Sequence, residues 1–246
     1  KTIVDRVQAT INRNGPETVA GIGGEKLTNE ENYLFQKLFR GLYGSNQVTN
    51  LANMRAPYVN QFMIRCFENG IISKPVTELE KSDVVLIFNS DLPSEYPVGG
   101  NSVRKGAIFT GTDIIIANPR KVVFKNESNI DIRLNYSLGS DATVASRISR
   151  ILIDQGIVDT AKIKSAVSNY EELVQSLAPY TEEATQRATG LSDETLIRAA
   201  KRFGRTADRF ILIGNDIFDT GQGENILSAL LNLSILVHHG AEGSVS

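Results

Sequence analysis

Asp83-Val84-Val85-Leu86-Ile87-Phe88, followed at once by Asn89-Ser90-Asp91-Leu92-Pro93, decides the fold class. Side chains alternate between the two faces of a strand, so a run that is apolar at every position suits a strand covered on both faces, as in a parallel sheet. Asp113-Ile114-Ile115-Ile116-Ala117 and Phe210-Ile211-Leu212-Ile213-Gly214 repeat the pattern. Around these runs, apolar residues recur at helical spacing over 98–106, 142–156, 161–167, 170–177, 182–188, 192–204 and 222–238. Strands alternating with helices predict an α/β fold, a mostly parallel sheet with helices on both faces in a Rossmann-like arrangement. Such sheets bind ligands beyond the carboxyl ends of their strands. That singles out the loops 21–28, 89–97 and 118–122.

Earlier in the chain, the run Thr18 to Gly21 reads as a short strand opening into Gly21-Ile22-Gly23-Gly24. Thr28 and Glu31 have capping-box spacing, in which hydroxyl and carboxylate each satisfy an otherwise orphaned backbone N–H. Phe35, Leu38, Phe39 and Leu42 continue the helix, and Gly44 is placed to end it in a left-handed conformation. The next helix is expected to start near Pro57, with Val59, Phe62, Met63, Cys66 and Phe67 as its apolar stripe and Gly70 as its stop.

The chain has 246 residues, 26 basic against 28 acidic, for a net charge of −2. This balance lacks the electrostatic footprint of a nucleic-acid binder. Hydrophobic residues at 41% and charged residues at 22% exclude disordered and fibrous classes. The single cysteine, Cys66, allows no internal disulfide, iron–sulfur cluster or thiolate zinc site, and its place in a helical stripe marks a buried thiol. No apolar run reaches the roughly 18 residues of a membrane span. A chain opening on Lys1 and closing on Ser246 is expected to be a piece of a longer polypeptide.

Local chemistry is sparse. Gly21 to Gly24 is neither GxGxxG nor a P-loop, and a tight strand-to-helix turn explains it. His238 and His239 are adjacent, so they point about 100° apart on a helix and cannot share a metal as an i,i+4 pair can. No GxSxG nucleophile is present. Asp141 reads as a carboxylate favoured at a helix N-terminus, and Asn89 and Asn118 as turn residues.

The order of motifs adds a resemblance. Gly23-Gly24-Glu25-Lys26-Leu27-Thr28-Asn29-Glu30-Glu31-Asn32-Tyr33, with Phe35-Gln36-Lys37 and Arg40 after it, resembles a segment of the molybdopterin oxidoreductases. Gly44-Ser45-Asn46 is similar to that family's G-T-N, Ser82 to Val98 to its strand and following loop, Asn118-Pro119-Arg120 to its D-P-R, and Leu138-Gly139-Ser140-Asp141 to its P-G-T-D. Asp154 to Asp159, Pro179-Tyr180-Thr181, Thr189-Gly190 and Asn232-Leu233 with Gly240 and Gly243 continue the likeness over nearly the whole chain.

The resemblance implies the central region of a longer chain, lacking an upstream iron–sulfur domain and a C-terminal pterin-binding domain. It implies two interleaved α/β subdomains, about 1–75 with 205–246, and 76–204. Where a pterin guanine nucleotide is retained, Asn89, Asn118, Gly139 and Asp141 would hold its guanine end. The family's metal ligand, a Cys, selenocysteine or Ser shortly after the G-T-N, falls at or beside Arg55, within Asn53-Met54-Arg55-Ala56. An arginine has no lone pair for a metal and stays protonated in proteins. With scaffold motifs kept and the ligand absent, the chain looks most like the molybdopterin-like domain of the respiratory NADH:quinone oxidoreductase, complex I. That implies a structural role without its own molybdenum site, contacts with other domains and respiratory-complex subunits, and a cytoplasmic place at the inner face of a bacterial plasma membrane. The alternative is part of a catalytic molybdenum or tungsten enzyme such as a formate dehydrogenase, with molybdopterin guanine dinucleotide bound.

Overall fold

The computed structural model describes residues 1–24, 26–68, 74–124, 130–219 and 221–240, with 52–56, 58 and 219 by backbone alone; the expected stop at Gly70 lies outside them. The chain divides into two compact units, Lys1–Gln61 and Phe62–Ser246.

In the first unit, helix α1 (Thr2–Asn14) is not foreseen by the sequence pattern; none of its residues is fully buried, and Val7, Thr10 and Ile11 form its half-buried side. In place of the strand expected at Thr18, Pro16–Thr18 form a single 3₁₀ turn, and the strand β1 is Gly21–Gly23. It pairs in parallel with β2 (Val48–Asn50), Gly21 opposite Val48. Helix α2 (Asn29–Gln36) carries the expected capping box: Glu31 N–H donates to Thr28 Oγ1 (3.2 Å) and Thr28 N–H to Glu31 Oε2 (2.8 Å). It runs on as a π-helical segment, Lys37–Tyr43, and ends at Gly44 with φ of 72°. Phe35, Phe39 and Tyr43 lie one turn apart and stack, with centroid distances of 4.8 and 5.5 Å. The Phe35 and Phe39 rings cover Gly21, where a Cβ would come within 2.7 Å of the Phe39 ring. Ring packing therefore accounts for the first glycine of the turn.

Helix α3 spans Leu51–Glu68, so Pro57 lies inside it and not in its first turn. The proline removes one backbone hydrogen bond, which costs the helix a rung without stopping it. From Phe62 onward the helix belongs to the second unit, where Phe62 and Cys66 pack on Leu231 and Ile235.

The second unit is built on four parallel strands in the order β5-β4-β3-β6: β3 (Val84–Phe88), β4 (Asp113–Ala117), β5 (Ile132–Leu134) and β6 (Arg209–Ile213). Val84 pairs with Asp113 on one side and Arg209 on the other. Between β3 and β4 lie α4 (Leu92–Glu95) and α5 (Pro97–Lys105). Five helices join β5 to β6: α6 (Asp141–Asp154), α7 (Thr160–Ala166), α8 (Tyr170–Leu177), α9 (Glu182–Thr189) and α10 (Asp193–Arg205). Helix α11 (Gly223–Gly240) follows β6. Alternate residues serve opposite faces. Val84, Leu86, Phe88, Ile115 and Ala117 join residues of α6, α10 and α11 in one core, while Val85, Ile87, Ile114 and Ile116 meet Leu79, Leu92, Val103 and Phe124 in another. The expected doubly covered parallel sheet is what forms. Strand β5 is a further element beyond those expected, being three residues long with Arg133 breaking its apolar run.

Of the segment 205–246, which was expected to group with 1–75, the described residues 205–219 and 221–240 lie in the second unit. Strand β6 is hydrogen-bonded to β3 and α11 buries Leu230, Leu233 and Leu236 in the core shared with α6, so this segment folds with residues 76–204. The apolar runs of β6 and α11 find their cover there.

Candidate functional site

From β3 the chain moves outward to β4 and β5, then returns to the other side of β3 as β6. The reversal places a switch point at the carboxyl ends of β3 and β6, the usual ligand crevice of such sheets. The two exits are drawn together: Gly214 N–H donates to Phe88 O (2.9 Å), and a Cβ on Gly214 would lie 1.8 Å from the Asn89 carbonyl oxygen. Asn89, at φ of 49°, is the non-glycine residue with a left-handed backbone among the described residues. Asparagine tolerates this conformation better than most, because its short polar side chain bonds locally.

From that turn the Asn89 amide reaches across to α6. Its Nδ2 donates to Asp141 Oδ1 at 2.9 Å, and the Tyr136 hydroxyl donates to the same oxygen at 2.8 Å. All three side chains are buried. Burial first, and then the negative charge of Asp141 and the hydrogen bond to it, push the Tyr136 phenol far up, so it remains a donor at any physiological pH. Asp141 is the first residue of α6, as expected, but its carboxylate does not cap the helix; it ties the ends of β3 and β5 together. Its other oxygen, Oδ2, receives no donor from a described residue.

Asn118, fully buried at the end of β4, forms the anticipated turn: its Oδ1 accepts Arg120 N–H at 2.8 Å. That bond fixes the orientation of the amide, and leaves Nδ2 buried without a partner among the described residues. Asn135 Nδ2 bridges the carbonyls of Asn118 (3.1 Å) and Arg120 (3.2 Å), and the Arg120 guanidinium is paired with Asp216 after β6. Gly139, at φ of 85°, faces open space: nothing would meet a Cβ there within 4 Å. Its loop is anchored to the end of α9 by Ser137 N–H to Thr189 O (2.9 Å) and Ser140 Oγ to Ala188 O (2.8 Å). Helix α6 is held by a fork of hydrogen bonds from Arg147 to both oxygens of Asp193, each at 2.8 Å, a geometry suited to burial.

The structure thus brings Asn89 and Asp141 into direct contact and places Asn118 and Gly139 on neighbouring strand-end loops. Tyr136 carries no signal in the sequence, because the short strand leading to it has no readable period. Elsewhere, burial pushes the Cys66 thiol up and away from nucleophilic use. The His238 and His239 rings pack edge to face at 4.8 Å in the last turn of α11. Arg55 lies in α3 by its backbone, but its side chain is outside the described residues. Among the described residues, no group of three or more His, Cys, Asp or Glu could hold a metal ion, and no helix is long and apolar enough to cross a membrane.

The family model of the molybdopterin oxidoreductases matches residues 1–244. The chain belongs to this family. Molybdopterin oxidoreductases similar to it include the probable oxidoreductase YjgC of Bacillus subtilis, 31% identical over 94% of this chain and 24% of the relative. Formate dehydrogenase H of Escherichia coli is 26% identical over 95% of this chain and 32% of the relative. An F420-dependent formate dehydrogenase 1 subunit alpha of Methanococcus maripaludis is likewise 26% identical, over 95% and 34%. The chain therefore spans between about a quarter and a third of the curated relatives it matches. Acetylene hydratase from Pelobacter acetylenicus shares the fold, with a TM-score of 0.61 at 18% identity, over 97% of this chain and 32% of that one.

The family implies a molybdopterin cofactor. Among the described residues, the donor-free Oδ2 of Asp141 and the unpartnered Nδ2 of Asn118 are an acceptor and a donor whose chemistry fits a base bearing both donors and acceptors. An arginine, as at position 55, has no lone pair to give a metal.

Proposed function

We propose that this region holds the guanine end of a molybdopterin guanine dinucleotide in an oxidoreductase of the formate dehydrogenase type. The observation that carries the reading is the polar set at the carboxyl ends of β3, β4 and β5: Asp141 with donors on one oxygen only, and Asn118 Nδ2 without a partner among the described residues. A carboxylate complements the ring N–H and exocyclic amine of guanine and repels the acceptor edge of other purines. Asn118 Nδ2 donates to an acceptor on the ligand, Gly139 leaves its loop open to it, and Asn89 orients Asp141 instead of spending its amide on the base. When bound, such a cofactor supplies a redox-active metal for two-electron chemistry; the residues named here bind and orient.

A second reading is favoured by Arg55 and by the absence of a thiolate from Asn53-Met54-Arg55-Ala56. In it, the chain is the structural molybdopterin-like domain of a respiratory NADH:quinone oxidoreductase, without molybdenum of its own. Its partners are then other domains and subunits of that complex, at the inner face of the bacterial plasma membrane, with iron–sulfur clusters carried elsewhere.

Metal and pterin content of the purified protein separates the two. Molybdenum or tungsten is measured by mass spectrometry and pterin by fluorescence after oxidation. One equivalent of either metal with pterin is the expected result. Iron without molybdenum, tungsten or pterin would overturn the first reading in favour of the second.

A further inference from the structure

We propose that Tyr136 is a positioning residue: its hydroxyl fixes the plane in which the Asp141 carboxylate is presented to a ligand. The inference rests on the guanine reading above. A carboxylate turns easily about its last side-chain bond, a broad and roughly two-fold torsion. Asp141 is therefore directional only if something fixes the plane of its carboxylate. Two donors do so, Tyr136 Oη at 2.8 Å and Asn89 Nδ2 at 2.9 Å, both on Oδ1. Oδ2 receives nothing from the described residues.

The phenol is itself fixed. Tyr136 is 4% exposed, belongs to the main core, and its ring lies against Phe88 at 6.2 Å between centroids. Asn89 leaves the end of the neighbouring β3 on a constrained turn. The carboxylate is thereby held from two different strands, and an acceptor held in this way is preorganised for a donor-bearing base. Asn89 alone would leave one bond, about which the plane of the carboxylate can tilt.

Tyr136→Phe keeps the ring and its packing and removes only the donor. The test measures GDP and ADP binding by calorimetry on the protein, on Tyr136→Phe and on Asp141→Asn. The unaltered protein should prefer GDP. Tyr136→Phe should weaken GDP by roughly three- to tenfold, the worth of one hydrogen bond, and leave ADP unchanged; Asp141→Asn should abolish the preference. A Tyr136→Phe protein with an unaltered GDP-to-ADP ratio would overturn the proposal, whether or not both affinities had fallen together, since a merely structural loosening does not discriminate between bases. Lack of GDP preference in the unaltered protein would instead sink the guanine reading and Tyr136's role with it, so the two failures are told apart. Proton NMR of the unaltered protein gives a check without any variant. The Tyr136 hydroxyl should appear as an exchange-protected resonance that survives GDP addition, and its loss on addition would overturn the proposal.

Discussion

In the first unit Phe35 and Phe39 close over Gly21, yet among the described residues no large apolar side chain before Cys66 is fully buried. In the second, Val84 to Phe88 are sealed on both faces by two separate cores. The first unit relies on local devices: a capping box, a left-handed glycine, an i,i+4 ring stack. Each contributes about 1 kcal/mol. The second draws on area, at about 1.5–3 kcal/mol for each fully buried large apolar side chain. Tyr33, Leu34 and Leu42 of the first unit are 60–74% exposed, whereas Ile148, Leu196 and Leu230 of the second are 0–1% exposed. The difference teaches where the molecule can tolerate change: the unit with the core is the unit with the strand-end site, and the precision of that site derives from the core beneath it.

The contrast sets an order of mutational effects. Gly214→Ala should be the most damaging, because its Cβ would sit 1.8 Å from a backbone oxygen that cannot swing aside. A loss above about 3 kcal/mol is expected from such overpacking, visible as failure to recover folded protein by circular dichroism. Wild-type melting would show that the exits of β3 and β6 separate freely. Phe203→Ala, 1% exposed between sheet and helices, should cost about 3–5 kcal/mol in chemical denaturation. Phe39→Ala in the first unit should cost distinctly less, and equal losses would contradict the account of the two units. Thr28→Ala removes the Oγ1 acceptor of the capping box and should cost about 1 kcal/mol, read as a small loss of helical signal with the second unit's melting unchanged.

The smallest effect is one of pH. Burial, then His239 and Arg209, hold the His238 imidazole below its ordinary value. The unfolded chain therefore takes up a proton, near pH 6.5, before the folded protein does. This histidine's contribution is intact above that pH and is lost as pH falls from there through the lower folded value. Melting temperatures at pH 7 and pH 5 should fall further apart in the unaltered protein than in His238→Gln; an equal fall in both would rule the assignment out.

Much of this was legible in the residues. Thr28 and Glu31 announced their own helix start, and Gly44 its end, because caps and left-handed turns are settled within a few neighbours. The apolar runs at 84–88, 114–117 and 210–214 announced parallel strands for the same reason, although β6 is only half-buried. Pro57 misled, since a proline forbids one hydrogen bond but does not say what precedes it. Strands β2 and β5, three residues each, carry no period long enough to see; they are strands only because a neighbour hydrogen-bonds to them.

The sequence by itself determined the α/β class, most of the helices, the fully apolar strands and the identity of Asn89, Asn118, Gly139 and Asp141 as residues at strand and helix ends. Only the tertiary structure decided that β6 returns to β3, that Asn89 and Tyr136 donate to one oxygen of Asp141, and that Asn118 Nδ2 has no partner among the described residues. Period and capping are properties of a few consecutive residues and can be read along the chain. Which residue donates to Asp141 from 52 positions away depends on packing that brings distant strand ends within 3 Å, and no local pattern encodes that distance.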